Sequence, residues 1–292
     1  MRIELKRGGC TAAVDTRGGE LVSFKDEQGT EYIWGGDPKS WTGRNPNLFP
    51  VVGNLINGTV AVNGTPYKMA RHGFAMQSEF ALAEQGEDYA VLELRDSPET
   101  LAQYPFSFVL RVRHQLTENG FYTQFEVRNP GQEELLFCVG GHTGINCPLR
   151  AGERFEEYRL IFDQVEDAQS ILPSAQGYMS AGREHILDHT DTIALDHAVF
   201  DRIDTIVLEG LRSKGVTLRH KDGGRGVHMD FGAFPMVAFW TMSNAGAPYI
   251  CLEPWHGCGA LEGESGEFAD KPHVIRLGSG EEKTLRYSVT IC

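Results

Sequence analysis

Between Phe106 and Arg128 the side chains alternate with a period of two. Phe106, Phe108, Leu110, Val112 and Leu116 occupy even positions, while Arg111, Arg113, Gln115 and Thr117 occupy odd ones. Successive side chains of a strand point to opposite faces, whereas a helix gathers residues three or four apart. Only a strand gives this stretch one greasy face and one wet face. Asn119-Gly120 follows, a pair that accepts the positive φ of a tight hairpin turn. Beyond it the parity reverses. Phe121, Thr123, Phe125 and Val127 share the inward face, and Tyr122, Gln124, Glu126 and Arg128 the outward one. The prediction is an antiparallel hairpin.

The rest of the chain has the same character. Its 34 glycines and repeated Asn-Gly and Asp-Gly steps punctuate short apolar runs. Asn57-Gly58 and Asn63-Gly64 bracket a strand at 59–62. Both also match the N-x-[ST] glycosylation pattern, but turn chemistry accounts for them without sugar. Further strands are expected at 2–6, 11–15, 20–25, 89–95, 135–139, 158–162, 204–208, 215–219, 227–231, 236–241, 249–253 and 284–291. Helical periodicity is confined to a turn or two at 97–103, where Pro98 suits a helix start. The stretch 180–189 fits neither pattern. Many short strands with turns between them predict an all-β sandwich or barrel. With no linker, low-complexity tract or repeat, residues 1–292 are expected to form a single domain.

Composition narrows the function. Lys and Arg total 27 against 40 for Asp and Glu, a net charge of −13 without a basic patch, which disfavours nucleic acid as a partner. No apolar run approaches the roughly 20 residues that span a bilayer, so no membrane partner is expected. The alternating start Met1-Arg2-Ile3-Glu4-Leu5-Lys6-Arg7 lacks the apolar core of a signal peptide, and a cytoplasmic location is expected. The six cysteines (Cys10, Cys138, Cys147, Cys251, Cys258 and Cys292) show neither C-x-x-C nor zinc spacing and are expected to be reduced and mostly buried.

The familiar catalytic motifs are missing. Gly140-Gly141-His142-Thr143-Gly144 is glycine-rich but has no lysine to reach a phosphate, and there is no G-x-S-x-G or H-E-x-x-H. His185 and His189 have the i, i+4 spacing of a helical metal pair without a third ligand. Three stretches instead place an ionisable side chain beside glycine or proline in apolar surroundings. They are Arg71-His72-Gly73-Phe74, the block around His142, and Cys251-Leu252-Glu253-Pro254-Trp255-His256-Gly257. Glu253 ends an apolar run. A carboxylate there costs several kcal/mol, roughly, unless it is paired or its pKa rises, and a raised pKa suits a general base. A structural carboxylate satisfied by backbone N–H groups explains the same spacing. Two histidines and one glutamate supply one acid and one base if they converge.

Asn47-Leu48-Phe49-Pro50-Val51-Val52-Gly53, His72-Gly73-Phe74-Ala75, Gly140-Gly141-His142 with Asn146 and Pro148-Leu149, and Glu253-Pro254-Trp255 resemble, in order and distance, blocks of the aldose 1-epimerase (galactose mutarotase) family. Ile33-Trp34 and Trp41 fit upstream, and the likeness is nearest the shorter LacX-like bacterial branch. The resemblance implies a galactose mutarotase-like antiparallel β-supersandwich with an open cleft for a free sugar, and neither metal nor nucleotide cofactor. It implies Glu253 as the base at the anomeric hydroxyl, His142 as the acid at the ring oxygen, and His72 helping to hold that oxygen. Asp204 is the best match to a sugar-binding aspartate, and Trp255 or Phe74 offers a stacking face. Two positions depart from the pattern. Asn54 stands where many relatives carry a sugar-binding arginine, for which Arg44 or Arg71 is a substitute, and Ile145 replaces a frequent aromatic. The leading expectation is a cofactor-independent mutarotase, monomeric or homodimeric. The alternatives are a non-catalytic carbohydrate-binding sandwich, and an epimerase for a phosphorylated hexose using Arg44, Arg71 and Arg219.

Overall fold

The computed structural model describes residues 1–292. The predicted hairpin forms from Val109–Leu116 and Gly120–Arg128, with Phe121 opposite Leu116 and Phe125 opposite Val112. Its inward side chains, Leu110, Val112, Leu116, Phe121, Phe125 and Val127, are buried. The first strand begins at Val109 because Phe108 N–H turns aside to the Asp96 carboxylate, 3.2 Å away. The turn differs from the expectation. Neither Asn119 nor Gly120 takes a positive φ. A Cβ on Gly120 would lie 2.1 Å from the Val289 carbonyl oxygen, so glycine is needed there for close approach of the next strand. Asn57-Gly58 and Asn63-Gly64 do behave as expected, with φ of 53° and 65°, and of 51° and 78°.

This hairpin is the middle of a nine-stranded antiparallel sheet, in the order 179–194, 158–173, 215–220, 226–230, 282–291, 120–128, 109–116, 89–95 and 81–85. A six-stranded sheet faces it, with Thr205–Glu209, Met236–Trp240, Tyr249–His256, Val139–Gly141 and Asn47–Leu48 in sequence, and Thr143–Asn146 also pairing with Tyr249–His256. Phe162 of the large sheet meets Phe239 of the smaller one with ring centroids 5.9 Å apart. Leu252, Ile250 and Phe239 of the smaller sheet and Leu110, Phe125 and Val289 of the larger belong to one core of 71 buried residues. Three further strands, Arg2–Arg7, Cys10–Asp15 and Glu20–Lys25, pack on the large sheet through Phe24 against Phe121.

Several elements go beyond the sequence reading, among them Ala81–Gln85, Thr143–Asn146 and Ile275–Leu277. Tyr158–Pro173 and Met179–Ala194 are strands of 16 residues each. Only Tyr158–Phe162 pairs with the neighbouring strand of the sheet, and the remainder runs on as a two-stranded arm. His185 and His189 lie on this arm, and His189, at φ 48°, interrupts its extended backbone, so they are not a helical pair. His197–Ile203 is a helix capped by the Asp196 side chain, which accepts from Ala198 N–H at 2.9 Å. Pro98–Leu101 is the short helix expected, with Ser97 as its cap. All six cysteines are free and only Cys292 is exposed. No helix is long and apolar enough to cross a membrane.

Candidate active site

The site is built on the register of the smaller sheet. Gly140 pairs with Trp255 and Thr143 with Leu252, and either register, continued, puts His142 opposite Glu253. Ala238 flanks Glu253 on the other side, with Val207 beyond it. One row across the sheet therefore reads Val207, Ala238, Glu253, His142. On that face Gly140, Gly144, Ala238 and Cys251 are small, while Trp240 and Trp255 are large. The His142 Nε2 lies 3.2 Å from Glu253 Oε2. Both side chains are almost completely buried.

His72 arrives from a turn outside the sheet. Its φ is 65° and that of Gly73 is 76°, and a Cβ on Gly73 would lie 2.2 Å from the Phe49 carbonyl oxygen. Glycine is thus required for the chain to pass Phe49, and a non-glycine residue in left-handed backbone marks strain beside the site. The His72 and His142 rings stand nearly perpendicular, 5.6 Å apart. Gly53 N–H donates to His72 Nδ1 at 3.0 Å, and Arg71 Nε faces His72 Nε2 at 3.1 Å. A neutral imidazole accepts at one nitrogen only, so these contacts compete. The backbone donor is fixed and the guanidinium is exposed. The tautomer follows Gly53, and Arg71 gains by turning to a ligand.

Arg71 opens onto a cleft of about 310 Å³. Asn54, Asp204 and Trp255 line it too, as do Leu172, Tyr178 and Met179 of the arm. The arm is tied across the cleft. Met179 N–H donates to the Ala260 carbonyl at 2.9 Å, and the Met179 carbonyl accepts from Glu262 N–H at 2.8 Å. Asp204, at the end of the 197–203 helix, has a φ of 61° and accepts from Thr205 Oγ1. Arg44 is placed elsewhere, its Nε donating to the Gly35 carbonyl at 2.7 Å. Arg219 lies on the large sheet, 3.0 Å from Cys292 Sγ. The three arginines therefore form no cluster, and Arg71 alone lines the cleft. Ile145 points into the core, on the opposite face of its strand from His142, and does not touch the cleft. His256 turns away as well, its ring nitrogen 2.8 Å from the His273 carbonyl.

Burial dominates the electrostatics. It pushes the Glu253 carboxyl well above the ordinary range. Arg71 and the Trp255 indole pull the other way, and Asp204 adds to the rise. Burial, helped by Arg71, holds His142 down at about 3. His72 is held well below its usual value by burial, by His142 and by Arg71. Burial thus disfavours a charge on either member of the pair. Glu253 Oε2 and His142 Nδ1 have no hydrogen-bond partner, a costly condition that most native polar groups avoid. Cys251 Sγ lies within 4.8 Å of ligand atoms on both residues. Burial raises that thiol well above its ordinary value.

Residues 1–286 match the family model described as aldose 1-epimerase. The chain belongs to the aldose 1-epimerase family. It is 35% identical to the protein LacX, chromosomal, of Lactococcus lactis subsp. lactis, over 100% of this chain and 99% of that one. Among solved structures it superposes on a galactose mutarotase related enzyme from Lactobacillus acidophilus, with TM-score 0.93, 28% identity, and coverage of 100% and 97%. A galactose mutarotase-like protein from Lactobacillus casei gives TM-score 0.94 at 25% identity, with both chains covered in full. The galactose mutarotase-like fold expected from the sequence is the fold observed. In this aldose 1-epimerase family member, His72, His142 and Glu253, singled out in the sequence, stand together, while Asn54, Arg71, Asp204 and Trp255 line the cleft, whose lining does not include those three. The arm residues were missed, because its strands follow no regular alternation.

Proposed function

We propose that the protein interconverts the α and β anomers of a neutral free aldose, with Glu253 and His142 as the proton-transfer pair. The observation that carries this reading is the pair itself: two buried groups, 3.2 Å apart and incompletely hydrogen-bonded, beside a sugar-sized cleft. Ring opening removes a proton from the anomeric hydroxyl and delivers one to the ring oxygen. Glu253 as carboxylate takes the first, and His142 as imidazolium gives the second. The C1–O5 bond breaks as C1=O1 forms. Rotation about C1–C2 presents the other carbonyl face, and the reverse transfers close the ring. While the open chain is bound, the pair consists of a neutral carboxyl and a neutral imidazole, the state that burial favours. His72, with hydrogen on Nε2, is a donor for the ring oxygen, and positioned groups of this kind each contribute about 10²–10⁴-fold.

The cleft supports a neutral sugar over a phosphorylated one. Arg71 is the sole cation among the lining residues, which also include the carboxylate of Asp204. A phosphate dianion there would leave at least one charge unmatched. Magnetisation-transfer NMR on common aldoses and their 6-phosphates tests the proposal. Accelerated anomer exchange of at least one neutral aldose is expected, with its phosphate at least about tenfold slower. No acceleration on any sugar, or a preference for phosphates, contradicts it.

A further inference from the structure

His142 is enclosed by aromatic rings that the proton transfers themselves do not require. Trp41 lies over the imidazole, ring centroids 4.9 Å apart and planes 33° apart, and Trp240 meets it edge-on at 5.7 Å. Trp41 also contacts Trp240 at 5.5 Å and Tyr249 at 5.6 Å. The segment that carries it is fixed. The Trp41 carbonyl accepts from the Trp34 indole N–H and from Asp37 N–H, each at 2.9 Å. Gly144, in the strand below, donates to the Arg44 carbonyl at 2.7 Å and accepts from Trp34 N–H at 2.9 Å. A Cβ on Gly144 would lie 2.9 Å from the Trp41 ring, so the strand is reduced to glycine where the indole lies flat. Trp41 stays partly exposed and lies outside the main core, packing with Trp34 and Trp240 against a small second cluster of Ala247, Tyr249 and Cys251, and its contact with the His142 ring comes in addition to that packing.

We propose that Trp41 is a positioning residue: its indole face holds the His142 imidazole toward Glu253 and favours the imidazolium form by cation–π attraction. The inference rests on the acid–base reading of the pair. The ionisable groups around His142 are Glu253 and Cys251 on the adjacent strand, and His72 and Arg71 on the turn. Only Glu253 among them favours a charged imidazole, whereas Arg71 and burial oppose it. Tryptophan presents the strongest aromatic face to a cation, and the attraction grows where water is excluded.

Fluorinated tryptophans placed at position 41 test this, because each added fluorine weakens the π-face with little change of shape. The logarithm of kcat should fall in proportion to fluorine number, reaching a loss of about tenfold at four fluorines, with KM unchanged. Trp41→Phe should keep most of kcat, and Trp41→Leu should lose about tenfold. A flat fluorine series overturns the proposal. The ¹⁵N shifts of the His142 ring in sugar-free protein separate it from the epimerase reading. Across the series the protonation midpoint should fall by about one pH unit. If the wild type exchanges no anomers, the epimerase reading fails, and the ¹⁵N series still decides: a falling midpoint supports the role of Trp41, and an unmoved one ends it.

Discussion

His114 and His142 are both buried imidazoles carried by sheets, and their surroundings differ completely. His114, in the large sheet, has Nδ1 3.0 Å from Thr123 Oγ1 and Nε2 2.7 Å from the Gly19 carbonyl. Its hydrogen-bonding capacity is used up within the fold. His142, in the smaller sheet, has an unpartnered Nδ1 and turns Nε2 to a carboxyl that is itself incompletely bonded. Burial depresses both, to about 4 and about 3. Burial and a shifted pKa therefore do not tell a structural histidine from a functional one. Unspent hydrogen-bonding capacity beside a cleft does.

The contrast predicts a crossed outcome, which is the largest effect expected. His142→Gln should slow anomer exchange by about 10²–10⁴-fold with little loss of stability. His114→Gln should leave exchange within about twofold and cost about 1–3 kcal/mol of unfolding free energy by urea denaturation. Equal effects of the two substitutions on both measurements would erase the distinction. Gly73→Ala should act on both properties at once. Its φ of 76° and the 2.2 Å approach to Phe49 make a methyl group untenable without movement of the His72 turn. A loss of about 2–3 kcal/mol together with slower exchange is expected, and a stable, fully active variant would mean that the turn does not position His72.

A smaller effect lies in the pH dependence of stability. Both histidines titrate below the usual 6.5 in the folded chain, so the unfolded chain binds more protons between that value and about 4. Their contribution is complete above pH 6.5 and is lost as pH falls through the folded values. Glu253 has the opposite sign, because its folded pKa is raised. Its contribution is present below about 4.5 and declines as pH rises. Urea midpoints measured from pH 4 to 8 should show His114→Gln flattening the acid slope, and Glu253→Gln gaining stability relative to wild type at the alkaline end. An unaltered acid slope in His114→Gln would show that the buried ring does not carry it.

The centre of the large sheet was legible in the sequence because one face of each strand meets the core and the other meets water, as in Phe106–Arg128; its edge strand Ala81–Gln85, with almost nothing buried, was not. Even His114 sits at an inward position of that alternation, although nothing in the pattern singled it out. The three site blocks were legible for another reason: each charged side chain stands beside glycine or proline in an apolar setting. The register that sets His142 opposite Glu253 was not, since pairing between positions 142 and 253 has no local signature. Nor was the arm, whose regular alternation fails beyond Phe162. Asn119-Gly120 gave the right hairpin for a different cause, close approach to Val289 rather than left-handed backbone. Arg44 had the right chemistry, but its guanidinium is committed to Gly35.

The central claim is that the Glu253–His142 pair moves the protons of ring opening. Anomer exchange of a neutral aldose, followed by NMR for wild type and Glu253→Gln side by side at equal concentration, tests it most directly. Fast exchange in the wild type, reduced by at least about 10²-fold in the folded variant, is the predicted result. Exchange undiminished by the substitution would contradict it.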